Sequence, residues 1–169
     1  LDVLNAYLYV EYKDDYYSAG MQLAFAVVPG GEAIKYTVKS PVVKKALGNF
    51  FKRIWGNGDL ANAMKAAKEE ILTLPIAARK EIKEVFGDAL PYLRKGTDLI
   101  TDGFRTMKRQ AKRYLPNSAY KLLKNMIDTT TVTFRSLVYA LEIFVYDPGL
   151  PADLIEFLAG KNSFSDWLN

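Results

Sequence analysis

Apolar side chains recur every three or four residues along nearly all of this chain, and helix-ending residues fall between the repeats. No stretch alternates apolar and polar in the manner of a half-buried strand, and no hairpin signal joins two apolar runs. That rhythm confines the chain to an all-α fold, a compact multi-helix bundle of about eight to ten helices with no sheet. The first helix is expected over Asp2 to Tyr12, and Asp15 is placed to cap a second over Tyr16 to Val28. This second helix is apolar nearly all round, and Pro29-Gly30-Gly31 halts it. Its Gly20 and Ala24 leave room for a neighbouring backbone to approach.

A short helix over Glu32 to Lys39 leads into Ser40-Pro41, an N-cap followed by proline at the first helical position. The helix that follows carries Val42, Val43, Leu47, Phe50, Phe51, Ile54 and Trp55 on one face and Lys44, Lys45, Lys52 and Arg53 on the other. Gly56-Asn57-Gly58 is the strongest break, and Asp59 caps a helix to about Thr73. Pro75 opens the next, which continues or kinks at Gly87-Asp88 and Pro91; after Gly96, Thr97 caps a helix to Tyr114. Asn117-Ser118 begins the longest periodic run, through Leu122, Ile127, Phe134 and Leu141 to Asp147, where the β-branched cluster Thr129 to Thr133 favours a bend or a split. Pro151 to Ala159 and a last turn at Phe164, Trp167 and Leu168 complete the expectation.

At 169 residues, half of them hydrophobic, the chain removes about 70% of its unfolded surface from water on folding and needs neither disulfide nor metal. A single helical domain over residues 1–169 is expected, with the Gly56–Gly58 break marking where sub-bundles 1–57 and 59–169 would part. There is no cysteine and no histidine. That excludes disulfide frameworks, Cys/His zinc sites, thiol nucleophiles and every catalytic pair that uses histidine. Neither G-x-x-x-x-G-K-[ST] nor G-x-G-x-x-G occurs, and Gly160-Lys161 is followed by Asn162, so no nucleotide or other cofactor is expected. The apolar stretches Ala19–Val28 and Leu137–Tyr146 are half the ~20 residues a bilayer span needs. Residues Leu1 to Val10 lack a basic segment and contain Asp2 and Asn5, so secretion by a signal peptide is not expected. Leu1 is not an initiator methionine, so the chain is expected to be a processed product or a part of something longer.

Three polar constellations bear on chemistry. Ser118-Ala119-Tyr120-Lys121 fits S-x-x-K, without its partner motifs S-D-N and K-T-G; helix capping explains Ser118 better. Glu69, Glu70, Glu81, Glu84 and Asp88 could act as acid and base, but Lys65, Lys68, Lys80 and Lys83 sit among them at helical spacing, the pattern of a solvated face. Charge is uneven: Arg94 to Lys124 holds nine basic residues and two acidic, and Tyr139 to Asn169 one basic and five acidic. Arg105, Lys108, Arg109, Lys112 and Arg113 share a helix face, and with Lys121 and Lys124 they form the candidate interaction surface. It would meet neighbouring protein, the acidic tail, or the phosphates of nucleic acid. Lys44, Lys45, Phe50, Phe51, Lys52, Arg53 and Trp55 form a second candidate, an interfacial face for a membrane surface, whose competing explanation is a stripe facing the core.

The opening Asp2-x-x-Asn5-Ala6-x-x-Tyr9, Asp15-Tyr16-x-Ser18-Ala19 and Ala26-x-x-Pro29-Gly30-Gly31-x-Ala33-x-Lys35 resembles an apolar helical hairpin segment of large bacteriophage virion proteins and of the pre-toxin regions of polymorphic bacterial toxins. It covers about the first 40 residues and brings no catalytic residue. The resemblance implies a non-catalytic structural or interaction domain, part of a virion or a comparable cytoplasmic assembly, that packs against neighbouring subunits. The alternatives are a membrane-active or accessory domain of a secreted toxin and a nucleic-acid-binding domain.

Overall fold

The computed structural model of the chain describes residues 2–28, 37–57 and 59–146. Among them are seven helices and no strand: α1 (Asp2–Lys13), α2 (Tyr16–Phe25), α3 (Pro41–Ile54), α4 (Leu60–Glu70), α5 (Ile76–Gly87), α6 (Leu90–Tyr114) and α7 (Asn117–Tyr146). The all-α architecture stands; the described residues, with seven helices, do not support the count of eight to ten. Thr37 to Lys39, the described end of the helix expected from Glu32, is not helical. The rest of that element, the helix expected from Pro151 and the last turn at Phe164–Leu168 lie outside the described residues.

The bundle is organised on α7. It packs against each of the other six helices, while α1, α2, α3 and α4 also pack in sequence order, each on the next. One buried cluster joins residues from both sides of the Gly56–Gly58 break, including Leu23, Leu47, Phe50, Phe51, Ile71, Phe86, Leu93, Phe134, Leu137 and Leu141. Each such side chain contributes about 1.5–3 kcal/mol by leaving water.

Local chemistry sets the helix ends. The Asp15 carboxylate accepts from the Ser18 backbone N–H at 3.0 Å, and that of Asp59 from Ala61 N–H at 3.0 Å, satisfying donors that the first turn leaves open. Pro91 sits in the first turn of α6, so the expected kink is a helix start. The break expected at Gly96-Thr97 is absent. α6 runs through it for 25 residues, and Thr97 donates its hydroxyl back to the Leu93 carbonyl at 3.2 Å. Gly96 is there for packing: a Cβ at this position would lie 2.6 Å from Val27 Cγ1.

Gly20 is a packing position too, but what lies on it is a ring and not a backbone: the Phe51 side chain occupies the space where a Cβ would stand. The threonine cluster does not split α7, which is one helix of 30 residues. Thr130, Thr131 and Thr133 donate to the carbonyls of Met126, Ile127 and Thr129 at 2.7, 2.8 and 2.7 Å, so each hydroxyl is hydrogen-bonded within the helix that holds it. Thr133 Oγ1 also accepts from Gly56 N–H at 2.7 Å, and Ser136 donates to the Asn57 carbonyl at 3.0 Å. The loop after α3 is thereby fastened to α7, with Gly56 in the left-handed region at φ 71°.

Candidate interaction surface

α6 and α7 are joined by Leu115-Pro116 alone, so they run antiparallel as a hairpin. Up to Phe104 the hairpin is embedded: Leu90, Leu93, Ile100 and Phe104 of α6 are buried, as are Ile127, Phe134 and Leu137 of α7. Beyond that level burial among the described residues falls away. From Arg105 to Met126 Ala111 alone is buried, and most of the remainder is exposed. The helix start lies at Asn117, with the Pro116 carbonyl accepting from Tyr120 N–H at 2.9 Å. Ser118 is therefore exposed in the first turn and does not occupy the N-cap assigned to it from the sequence.

Seven basic residues and no acidic one lie between Arg105 and Lys124. On α6, Arg105, Lys108, Arg109 and Lys112 are three or four residues apart and share a flank, with Arg113 at its edge. On α7, Lys121, Lys124 and Asp128 share another stripe. Asp128 shows that the two face the same way: its carboxylate takes Lys108 Nζ across the helices at 3.0 Å and Lys124 Nζ along its own helix at 3.0 Å. Burial pushes the Asp128 carboxyl up, but the two ammonium groups together outweigh it and hold the group below the ordinary carboxylate range. The hydrogen bond to Asp128 raises Lys124 correspondingly. Arg105 is 3.9 Å from Asp102, a loose exposed pair. Arg109, Lys112, Arg113 and Lys121 make no ion pair with a described residue and are exposed.

Helical spacing puts Leu99, Met107 and Tyr114 of α6 and Leu122 of α7 on the flank away from these charges. Tyr114 is 75% exposed, Leu99 70% and Leu122 61%, and Leu115 at the tip is exposed as well. Sequence reasoning found the basic residues and missed this apolar flank. The signal was present, since Met107 and Tyr114 are two turns apart, but it is indistinguishable from a core stripe until the neighbours are known.

The second candidate face is divided by the fold. Phe50 and Phe51 are 0% and 1% exposed, inside the core, and so not available to a lipid surface. Trp55 is half-buried, edge-on to Tyr16 with ring centroids 6.3 Å apart. Lys44, Lys45 and Lys52 are exposed, with Lys52 Nζ 5.7 Å from the Tyr16 ring centre. Arg53 is tied to α4 through Glu69 at 3.0 Å and Glu70 at 3.5 Å.

The other carboxylates are dispersed. Glu81 caps α3, accepting from Lys39 and Ser40 N–H at 2.7 and 3.1 Å. Among the described residues no group of three acidic side chains could hold a metal ion, and no helix is long and apolar enough to cross a membrane. A cleft of about 230 Å³ opens between Thr101, Arg105, Lys108, Asp128 and Thr131, but both threonine hydroxyls donate to carbonyls of their own helices. Gln22 Oε1, the buried side-chain oxygen without a partner among the described residues, lies away from the hairpin, by Asn5, Tyr9 and Lys13. Comparison of the chain with models of known protein families, with curated proteins and with solved structures finds no match.

Proposed function

We propose that this chain is a non-catalytic helical interaction domain of a larger assembly, of the kind a bacteriophage particle is built from, and that the α6–α7 hairpin is the element that meets neighbouring protein. The observation that carries the reading is the apolar flank of the hairpin. Met107, Tyr114 and Leu122 are displayed on an arm that no other described helix covers, with Leu99 exposed two turns below, and exposed apolar surface grouped in this way marks contact with a partner. The resemblance of residues 1–40 to virion segments points in the same direction. The non-catalytic reading is supported by the lack of histidine and cysteine and by the structural duties of Glu69, Glu70 and Glu81.

The chain has no cysteine, which makes a single introduced thiol a unique reporter. Leu122→Cys is expected to cross-link to a neighbouring polypeptide within the native assembly, and Asn49→Cys, on the exposed side of α3, is not. Tyr114→Ser with Leu122→Ser is expected to leave the circular dichroism unchanged and to remove the chain from the assembly on sedimentation. Undiminished incorporation of that double variant would overturn the reading.

A further inference from the structure

The hairpin has two flanks of different chemistry, and only the apolar one serves the function proposed above. We propose that the basic flank, made by Arg105, Arg109, Lys112 and Arg113 of α6 and Lys121 of α7, is a docking surface for the phosphate backbone of double-stranded nucleic acid.

The segregation of the flanks selects this partner. A protein interface has an apolar centre within a polar rim, and no exposed large apolar residue sits among these five cations. Insertion at a lipid surface needs basic and apolar groups on one side at different depths, whereas Met107, Tyr114 and Leu122 lie on the side away from the charges. Single-stranded nucleic acid is gripped by aromatic stacking, and Tyr114, the most exposed ring among the described residues of the hairpin, is on the wrong flank. What remains is a row of four cations spaced over ~12 Å of α6, joined by Lys121 of α7 across an interaxial distance of ~8–10 Å. Such a surface tracks phosphates without reading bases.

Asp128 sets the strength. By holding Lys108 and Lys124 at 3.0 Å each it keeps two cations engaged and leaves about five for phosphate. Its removal should therefore strengthen binding, an outcome that a merely structural salt bridge does not produce.

The test is anisotropy of a labelled random 20-base-pair DNA duplex with the full chain, titrated between 50 and 300 mM KCl. About four to five phosphate contacts predict a slope of log K on log salt near −4. Arg109→Gln with Lys112→Gln should flatten the slope by about 2 and weaken binding about tenfold or more at low salt, and Asp128→Asn should steepen it by up to about 2. The Tyr114→Ser, Leu122→Ser variant should bind DNA as the wild type does, so loss of assembly and loss of DNA binding are separable. No binding at 50 mM KCl, a slope near zero, an unaffected Arg109/Lys112 variant, an equal loss in the Tyr114/Leu122 variant, or binding to phosphatidylserine vesicles in place of DNA would each overturn the assignment.

Discussion

Glu81 Oε1 lies 2.7 Å from the backbone nitrogen of Lys39, 42 residues away in the chain. The same oxygen accepts from Ser40 N–H at 3.1 Å, so a carboxylate of α5 occupies the positive end of α3 while the Ser40 side chain makes no cap bond. Glu81→Ala is expected to lower the unfolding free energy by about 1–2 kcal/mol. Glu81→Gln should cost less, since the amide oxygen still accepts and only the charge is lost. Urea denaturation followed by circular dichroism measures both, and an alanine variant as stable as the wild type would refute the cap.

The ring of Phe51 rests on the bare backbone at Gly20. Gly20→Ala drives a methyl group into a buried ring and should destabilise by about 1–3 kcal/mol. Phe51→Leu alone should also destabilise, but in the Gly20→Ala background it should recover part of the loss, because the clash goes with the ring. A double-mutant cycle is expected to show coupling above about 0.5 kcal/mol; strict additivity would contradict the contact.

Thr133 bridges two elements with one hydroxyl, donating within α7 and accepting from Gly56 N–H at 2.7 Å. Thr133→Val keeps the shape and removes the acceptor of the Gly56 N–H, which water can then reach because Gly56 is exposed, at an expected cost of about 0.5–1.5 kcal/mol. Amide hydrogen exchange at Gly56 should accelerate in that variant and stay slow in Thr133→Ser. Unchanged exchange would mean that the loop is held by other contacts.

Asp128 links stability to pH in a definite direction. Its folded carboxyl titrates below its unfolded counterpart, so the link to Lys108 is present at neutral pH and is lost as the pH falls through the lowered value. Lys124 is raised, so its share is lost only as the pH climbs through that raised value. Wild type and Asp128→Asn should therefore differ by a constant amount between about pH 5 and 9 and converge below about pH 4. The partners are partly exposed, so the difference is small and shrinks in high salt. Thermal melts across that range measure it, and a gap that widens in acid would reverse the sign.

What could be read ahead of the structure was what neighbours in sequence decide. Asp15 and Asp59 cap the helices they precede, since an N-cap acts over two or three residues. Ser40 marked the start of α3 correctly, yet the group that does the capping comes from α5 and left no local trace. Gly96 looked like punctuation because glycine weakens helices; it packs against Val27, a partner from the turn after α2 that only the fold supplies. The Thr129–Thr133 cluster looked like a weak point because β-branched residues lower helix propensity, and the hydroxyls of Thr130, Thr131 and Thr133 turn out to be bonded within α7, that of Thr133 also to the loop after α3. At the hairpin the charges were legible, while the opposition of charged and apolar flanks depended on how α6 and α7 pair.

That α7 touches all six other helices has a consequence for the order of events on a ribosome. Residues up to Leu115 can coil as they emerge, but the strip against which their oily faces close is synthesised after them. Nascent or truncated chains that stop short of Leu137 and Leu141 should stay sticky, chaperone-bound and sensitive to protease, and closure should come late and all at once.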